Sequence, residues 1–201
     1  MQVVKPPAHF LRYRPRARFS TKSSSEASHT CDSDREALRS LVNRVFIVDD
    51  HALIRRSYAE EVEDTDGFTM CGTAASFAEA LEALPATRPD VVLVDLSLDR
   101  DAPGGAELIR RLTASMANEA MTDASATDAS AEEPPADPPA PVPRWLVVSA
   151  YDNEAIVERV RDAGAHGFLS KRDAGDGLRA ALRDVAESTG TFLRYPASAP
   201  E

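Results

Sequence analysis

Cysteine is nearly absent from this chain of 201 residues, with Cys31 in a polar stretch and Cys71 in a more apolar one. Two residues so placed support neither a disulfide framework nor a zinc-ligand spacing, and Cys71 reads as a small buried hydrophobe. Long apolar runs are missing as well. Nothing approaches the roughly 18 consecutive apolar residues of a transmembrane helix, and no charged-then-apolar leader opens the sequence. No membrane contact is therefore expected, and a reducing cytoplasm is the expected location. Positive charge is in deficit: the net charge is -10 and the pI about 4.9, which works against nonspecific binding of nucleic acid or anionic lipid by the chain as a whole. The apolar fraction of 43% still suffices for one good core.

What the sequence does contain is a series of short apolar runs with chemistry at their ends. Val45-Phe46-Ile47-Val48 is followed by Asp49 and Asp50, and the run Val91 to Val94 ends in Asp95. Trp145-Leu146-Val147-Val148 leads to Ser149, and Gly167-Phe168-Leu169-Ser170 leads to Lys171. Apolar runs of about four to six residues alternating with helical patterns read as buried parallel strands of an open α/β sheet, and such sheets bind ligands at the carboxyl ends of their strands. Carboxylates crowded at one edge repel each other and favour a cation among them. Hard oxygen donors suit Mg²⁺, a lysine supplies a compact positive charge for phosphoryl oxygens, and a serine hydroxyl can donate to one. Asp49, Asp50, Asp95, Ser149 and Lys171 together predict a magnesium-dependent phosphoryl-acceptor site.

In order and spacing, the segment from Arg44 to Leu193 resembles the receiver domain of two-component response regulators. Ile47-Val48-Asp49-Asp50-His51, Ala163-Gly164-Ala165-His166-Gly167-Phe168-Leu169 and Gly190-Thr191-Phe192-Leu193 resemble its NarL/FixJ branch. The resemblance implies a doubly wound five-stranded parallel sheet of flavodoxin-like order 2-1-3-4-5. It implies that Asp95 accepts the phosphoryl group and that Asp49, Asp50, Asp95 and the backbone carbonyl of Ser97 hold Mg²⁺. Ser149 and Lys171 would contact the phosphoryl oxygens, and Ser149 and Phe168 would form the switch, Phe168 turning inward after phosphorylation. Implied partners are a histidine kinase or phosphotransfer protein and a downstream protein effector. Two departures stand out. The loop from Leu96 to Gly105 is long and adds Asp99 and Asp101, and Arg172 follows Lys171 where many receivers have proline.

The remaining sequence divides simply. Residues 1–43 read as a disordered basic arm, with Lys5, Arg12, Arg14, Arg16, Arg18 and Lys22 and no acid before Glu26, ending in a possible lead-in helix from Glu36 to Asn43. A docking arm for an acidic partner and a transit peptide are the sharper readings of that composition, which prolines make a poor amphipathic helix. Apolar positions at helical spacing (Leu53, Ile54, Tyr58 and Val62; Phe77, Ala80, Leu81 and Leu84; Leu108, Ile109 and Leu112; Ile156, Val157, Val160 and Ala163; Leu178, Ala181, Leu182 and Val185) predict core-facing stripes. Residues 113–143, rich in Ala, Asp and Pro and free of Lys and Arg, read as a disordered insert at the sheet edge opposite the carboxylates. His51 and His166 read as cap and turn residues. Residues 194–201 read as a tail, too short for a helix-turn-helix, so a stand-alone receiver without sequence-specific DNA binding is expected.

Other functions fit less well. A haloacid-dehalogenase-type phosphatase needs two aspartates two residues apart, but His51 and Ser97 stand two beyond Asp49 and Asp95. A flavodoxin-like FMN carrier needs a phosphate-cradling first loop, which Asp49 and Asp50 would repel. A degenerate receiver acting as a phosphorylation-independent interaction module is the surviving alternative. The expectation is a signalling phospho-acceptor, not an enzyme acting on a separate substrate.

Overall fold

A computed structural model describes residues 42–98, 104–123 and 142–195. The arm 1–41 with most of its possible lead-in helix, loop residues 99–103, most of the insert and residues 196–201 lie outside the described residues. Strands β1 (Asn43–Val48), β2 (Phe68–Ala74), β3 (Val91–Asp95), β4 (Arg144–Ser149), β5 (Gly167–Ser170) and β6 (Leu193–Tyr195) alternate with helices α1 (Ala52–Glu63), α2 (Phe77–Thr87), α3 (Gly105–Asp123), α4 (Glu154–Asp162) and α5 (Ala174–Glu187). All strand pairs are parallel, in the order β2-β1-β3-β4-β5-β6. The expected 2-1-3-4-5 order is present, extended by a sixth strand.

Alternation along each buried strand serves two cores at once. Phe46, Val48, Val92, Val94, Trp145, Val147 and Phe168 pack with α2, α3 and α4 on one face, while Val45, Ile47, Val91, Leu93, Leu146, Val148 and Leu169 pack with α1 and α5 on the other. That is why these strands read as continuous apolar runs. Each large side chain so buried contributes roughly 1.5–3 kcal/mol. The helical stripes face these cores as expected, with one correction: Leu53, in the first turn of α1, is 84% exposed, and Val62 is the buried residue of that helix. Cys71 is half-buried, its thiol donating to the Val45 carbonyl at 3.3 Å, and burial pushes its pKa up to about 11.

Three boundaries differ from the sequence reading. Asn43 begins β1 rather than ending a lead-in helix. The expected insert starts too early at residue 113, because α3 continues to Asp123; Thr113 to Asp123 contains no Pro or Gly and is rich in Ala and Met, so nothing stops the helix before the polar, proline-rich stretch. Arg194 and Tyr195 belong to β6 rather than to a tail, with Leu193 opposite Gly167 and Tyr195 opposite Leu169.

Turn chemistry fixes the element ends that matter. Gly164 follows α4 at φ +95, and the amides of Gly164 and Ala165 return to the carbonyls of Arg161 and Val160, the left-handed helix stop that glycine adopts most readily. Register then aligns the strand ends, with Asp95 opposite Val148 and Ser149 opposite Ser170. Asp123, where α3 ends, and Arg144, where β4 begins, lie away from this edge.

Candidate functional site

At the carboxyl edge, each polar side chain is placed by the strand that delivers it. Asp49 directly follows β1 and is 1% exposed; Asp95 ends β3 and is 4% exposed. Lys171, one residue past β5, donates from Nζ to Asp49 Oδ2 and to Asp95 Oδ2, each at 2.9 Å. The remaining oxygens are also engaged: Asp49 Oδ1 accepts the His51 amide at 2.7 Å, and Asp95 Oδ1 accepts the Ser97 amide at 3.2 Å. Neither carboxylate is therefore an uncompensated buried charge. Asp50 is more exposed and holds His51 Nδ1 at 2.6 Å.

Ser149, which ends β4, is fully buried, and its Oγ accepts the Tyr151 amide at 3.1 Å. The Lys171 amide in turn donates to the Ser149 carbonyl at 2.8 Å. The hydroxyl and the ammonium thus stand on adjacent strand ends. Phe168 is fully buried in the core that α4 covers.

Electrostatics follow from burial. Burial pushes the Asp95 carboxyl above its ordinary range, against the pull of the Lys171 ammonium and the Ser97 amide. For Lys171, burial works downward, but the bonds to Asp95 and Asp49 prevail and raise it. Tyr58 of α1 lies near the same charges, and burial raises its pKa.

Donor atoms of Asp49, Asp50, His51 and Asp95 lie within 4.8 Å of one another. Three hard carboxylates at that spacing fit a divalent cation of the magnesium class, which takes one or two protein carboxylates and keeps room for water and phosphate oxygens. His51 is the member that the sequence reading set aside as a cap. It is indeed the N-cap of α1, without a side-chain capping bond, yet its imidazole leans on the acidic pair. Its place directly after Asp49-Asp50 was the available signal. The sequence reading also missed Asp152, whose carboxylate accepts from Ser170 Oγ and Arg172 Nη2, each at 3.3 Å.

Comparison with known proteins agrees with this geometry. Residues 45–132 match the response regulator receiver domain family. The chain is 31% identical over 143 residues to the DNA-binding transcriptional activator DevR/DosR of Mycobacterium tuberculosis, covering 71% of this chain and 54% of that protein. It is 30% identical over 149 residues to the transcriptional regulatory protein UhpA of Salmonella typhimurium, covering 74% of this chain and 61% of that protein. The chain thus spans about half to three-fifths of the length of these relatives. Among solved structures, the signal receiver domain of the response regulator NarL from Mycobacterium tuberculosis superposes with a TM-score of 0.57 at 26% identity, covering 73% of this chain and 98% of that one. A LuxR-family response regulator from Aurantimonas sp. SI85-9A1 gives 0.60 at 24%, covering 77% and 91%, a likeness of fold.

Residues 45–132 are thus a response regulator receiver domain of two-component systems, and the relatives of this chain are response regulators. Receivers of this family are signalling phospho-acceptors with an acidic pocket, and response regulators work between histidine kinases and output effectors.

Proposed function

We propose that Asp95 accepts a phosphoryl group from a phosphohistidine of a partner kinase or phosphotransfer protein. The observation that carries this reading is Lys171 Nζ, 2.9 Å from both Asp49 and Asp95 at the carboxyl edge. A bond forms between an Asp95 carboxylate oxygen and phosphorus as the bond from phosphorus to the histidine nitrogen breaks. Lys171 meets the charge on the equatorial oxygens, and Ser149 donates its hydroxyl to one of them once it turns from its own loop. Asp49, Asp50, Asp95 and the Ser97 carbonyl would hold Mg²⁺, which when bound supplies counter-charge to the carboxylates and the phosphoryl oxygens. Positioning and charge stabilisation are most of what such a transfer needs from the protein.

Drawing Ser149 toward the new phosphoryl group moves the loop between β4 and α4, over the buried Phe168. That is a modification biasing a two-state element, and the surface of α4, β5 and α5 is its proposed readout. The proposed output is a contact with a protein partner rather than with DNA. A net charge of -10 weakens phosphate-backbone binding, and α1, α2, α4 and α5 all bury a face against the sheet.

The test is labelling with an acyl phosphate or a phosphorylated kinase. A base-labile phosphoryl group should form in Mg²⁺, vanish with excess chelator and be lost in Asp95→Asn. Full labelling of that variant would refute the assignment, and a footprint by this chain on a defined DNA sequence at physiological salt would refute the protein-partner output.

A further inference from the structure

One carboxylate near the site has no part in the chemistry above. Asp152 lies in the loop after Ser149, and its two oxygens take the Ser170 hydroxyl and the Arg172 guanidinium, the two residues that flank Lys171. Ser170 is 1% exposed, and a buried hydroxyl needs a partner; Asp152 is the acceptor it has. The Arg172 contact is more exposed and weaker. On its backbone side, the Asp152 carbonyl accepts Arg194 Nη2 at 3.0 Å, and the same guanidinium meets Glu154 Oε2 at 2.7 Å. The loop from Ala150 to Asn153 is thereby fastened to β5 and to β6, with Asn153 Oδ1 capping α4 at its far end.

Resting on the phospho-acceptor reading, we propose that Asp152 is a positioning residue that locks the Ser149 loop to the strand end carrying Lys171. Hydroxyl and ammonium then meet the phosphoryl oxygens of Asp95 as one unit. Three features argue for this over simple surface pairing. The contacts bracket Lys171 on both sides, the hydroxyl they satisfy is buried, and the loop so held contains the Tyr151 amide that orients Ser149 Oγ. Without Asp152, the loop would keep its Arg194 tether but lose its registration against Lys171. Small misplacements at a transfer site are amplified into large rate losses.

The test uses the full chain, acetyl phosphate as donor and Mg²⁺, reading the initial rate of acyl-phosphate formation, the melting temperature and the Tyr151 amide resonance. Asp152→Ala should slow labelling about tenfold and shift the Tyr151 amide, while Asp152→Asn, which keeps an acceptor for the Ser170 hydroxyl, should retain most of the rate. In a Ser149→Ala background, Asp152→Ala should slow labelling no further, because the group it positions is gone. If Asp152→Ala does not fold, Ser170→Ala breaks the same contact from the other side and replaces it. An equal slowing in both backgrounds, or an unchanged rate with Ser149 present, overturns the positioning role and leaves Asp95 as acceptor. Absence of label on the wild type, or label retained in Asp95→Asn, instead overturns the phospho-acceptor reading, and the inference falls with it.

Discussion

Asp95 stores a cost in the folded protein. Its carboxyl is pushed above the ordinary range chiefly by burial, so between the unfolded and the folded pKa the native state holds a proton that the unfolded chain releases. Its unfavourable contribution is therefore absent at pH below the unfolded value near 3.9 and complete above the folded pKa. Asp95→Asn removes the charge and keeps one acceptor oxygen, enough for Lys171 or for the Ser97 amide but not for both. We expect that variant to be more stable at neutral pH, read as a rise in melting temperature; a fall would mean that the hydrogen bonds lost from the second oxygen outweigh the relief of burial. His166 predicts the opposite slope. Its Nδ1 accepts the Trp145 amide at 3.1 Å, and burial, aided by Arg144, lowers its pKa. The stability it contributes is whole above the unfolded pKa of about 6.5 and lost as pH falls toward the folded value. His166→Asn, which can still accept through Oδ1, should flatten the decline of melting temperature between about pH 7 and pH 5.5. The residues at strand ends were legible in the sequence because runs and spacing placed them. Asp152 was not, since its contact to Ser170 spans 18 positions and no periodicity marks it.

Elements were legible wherever their signal was periodic. Five strands and their helices follow from apolar runs and stripes, whereas β6, with three residues, has no period to read. It is held by contacts that only the assembled molecule supplies: Phe192 under the Arg161 guanidinium at 4.9 Å, Arg194 on Glu154, and Tyr195 on Asp184 at 2.7 Å. The end of α3 was misread for a related reason, since a polar, alanine-rich composition describes an exposed helix as well as a disordered segment. At its other end, α3 starts against the acceptor strand. A Cβ on Gly105 would stand 2.4 Å from the Asp95 carbonyl oxygen and 3.1 Å from Val94 Cγ2. The near obstacle is backbone, which cannot rotate away as a side-chain tip can. Gly105→Ala should therefore cost about 1–3 kcal/mol, measured as a lower urea midpoint, and should slow labelling by displacing Asp95. A variant as stable and as quickly labelled as wild type would mean that α3 shifts freely.

For the molecule as a whole, the two elements that the 124–141 connection joins, the end of α3 at Asp123 and the start of β4 at Arg144, lie away from the strand end that carries Asp95. Replacing residues 124–141 by a polar turn of about six residues shortens the closed loop roughly threefold, which favours folding by about 1 kcal/mol. Melting temperature and labelling rate should both be nearly unchanged or slightly improved; a loss above about 2 kcal/mol would show that this segment contributes packing. The same connection sorts the site by charge. Everything before it supplies carboxylates, Asp49, Asp50 and Asp95, and everything after it supplies the hydroxyl of Ser149 and the ammonium of Lys171. A single backbone cut there would leave an acidic fragment and a donor fragment, neither able to hold a phosphoryl group alone, so acyl-phosphate formation would become a chemical readout of fragment complementation.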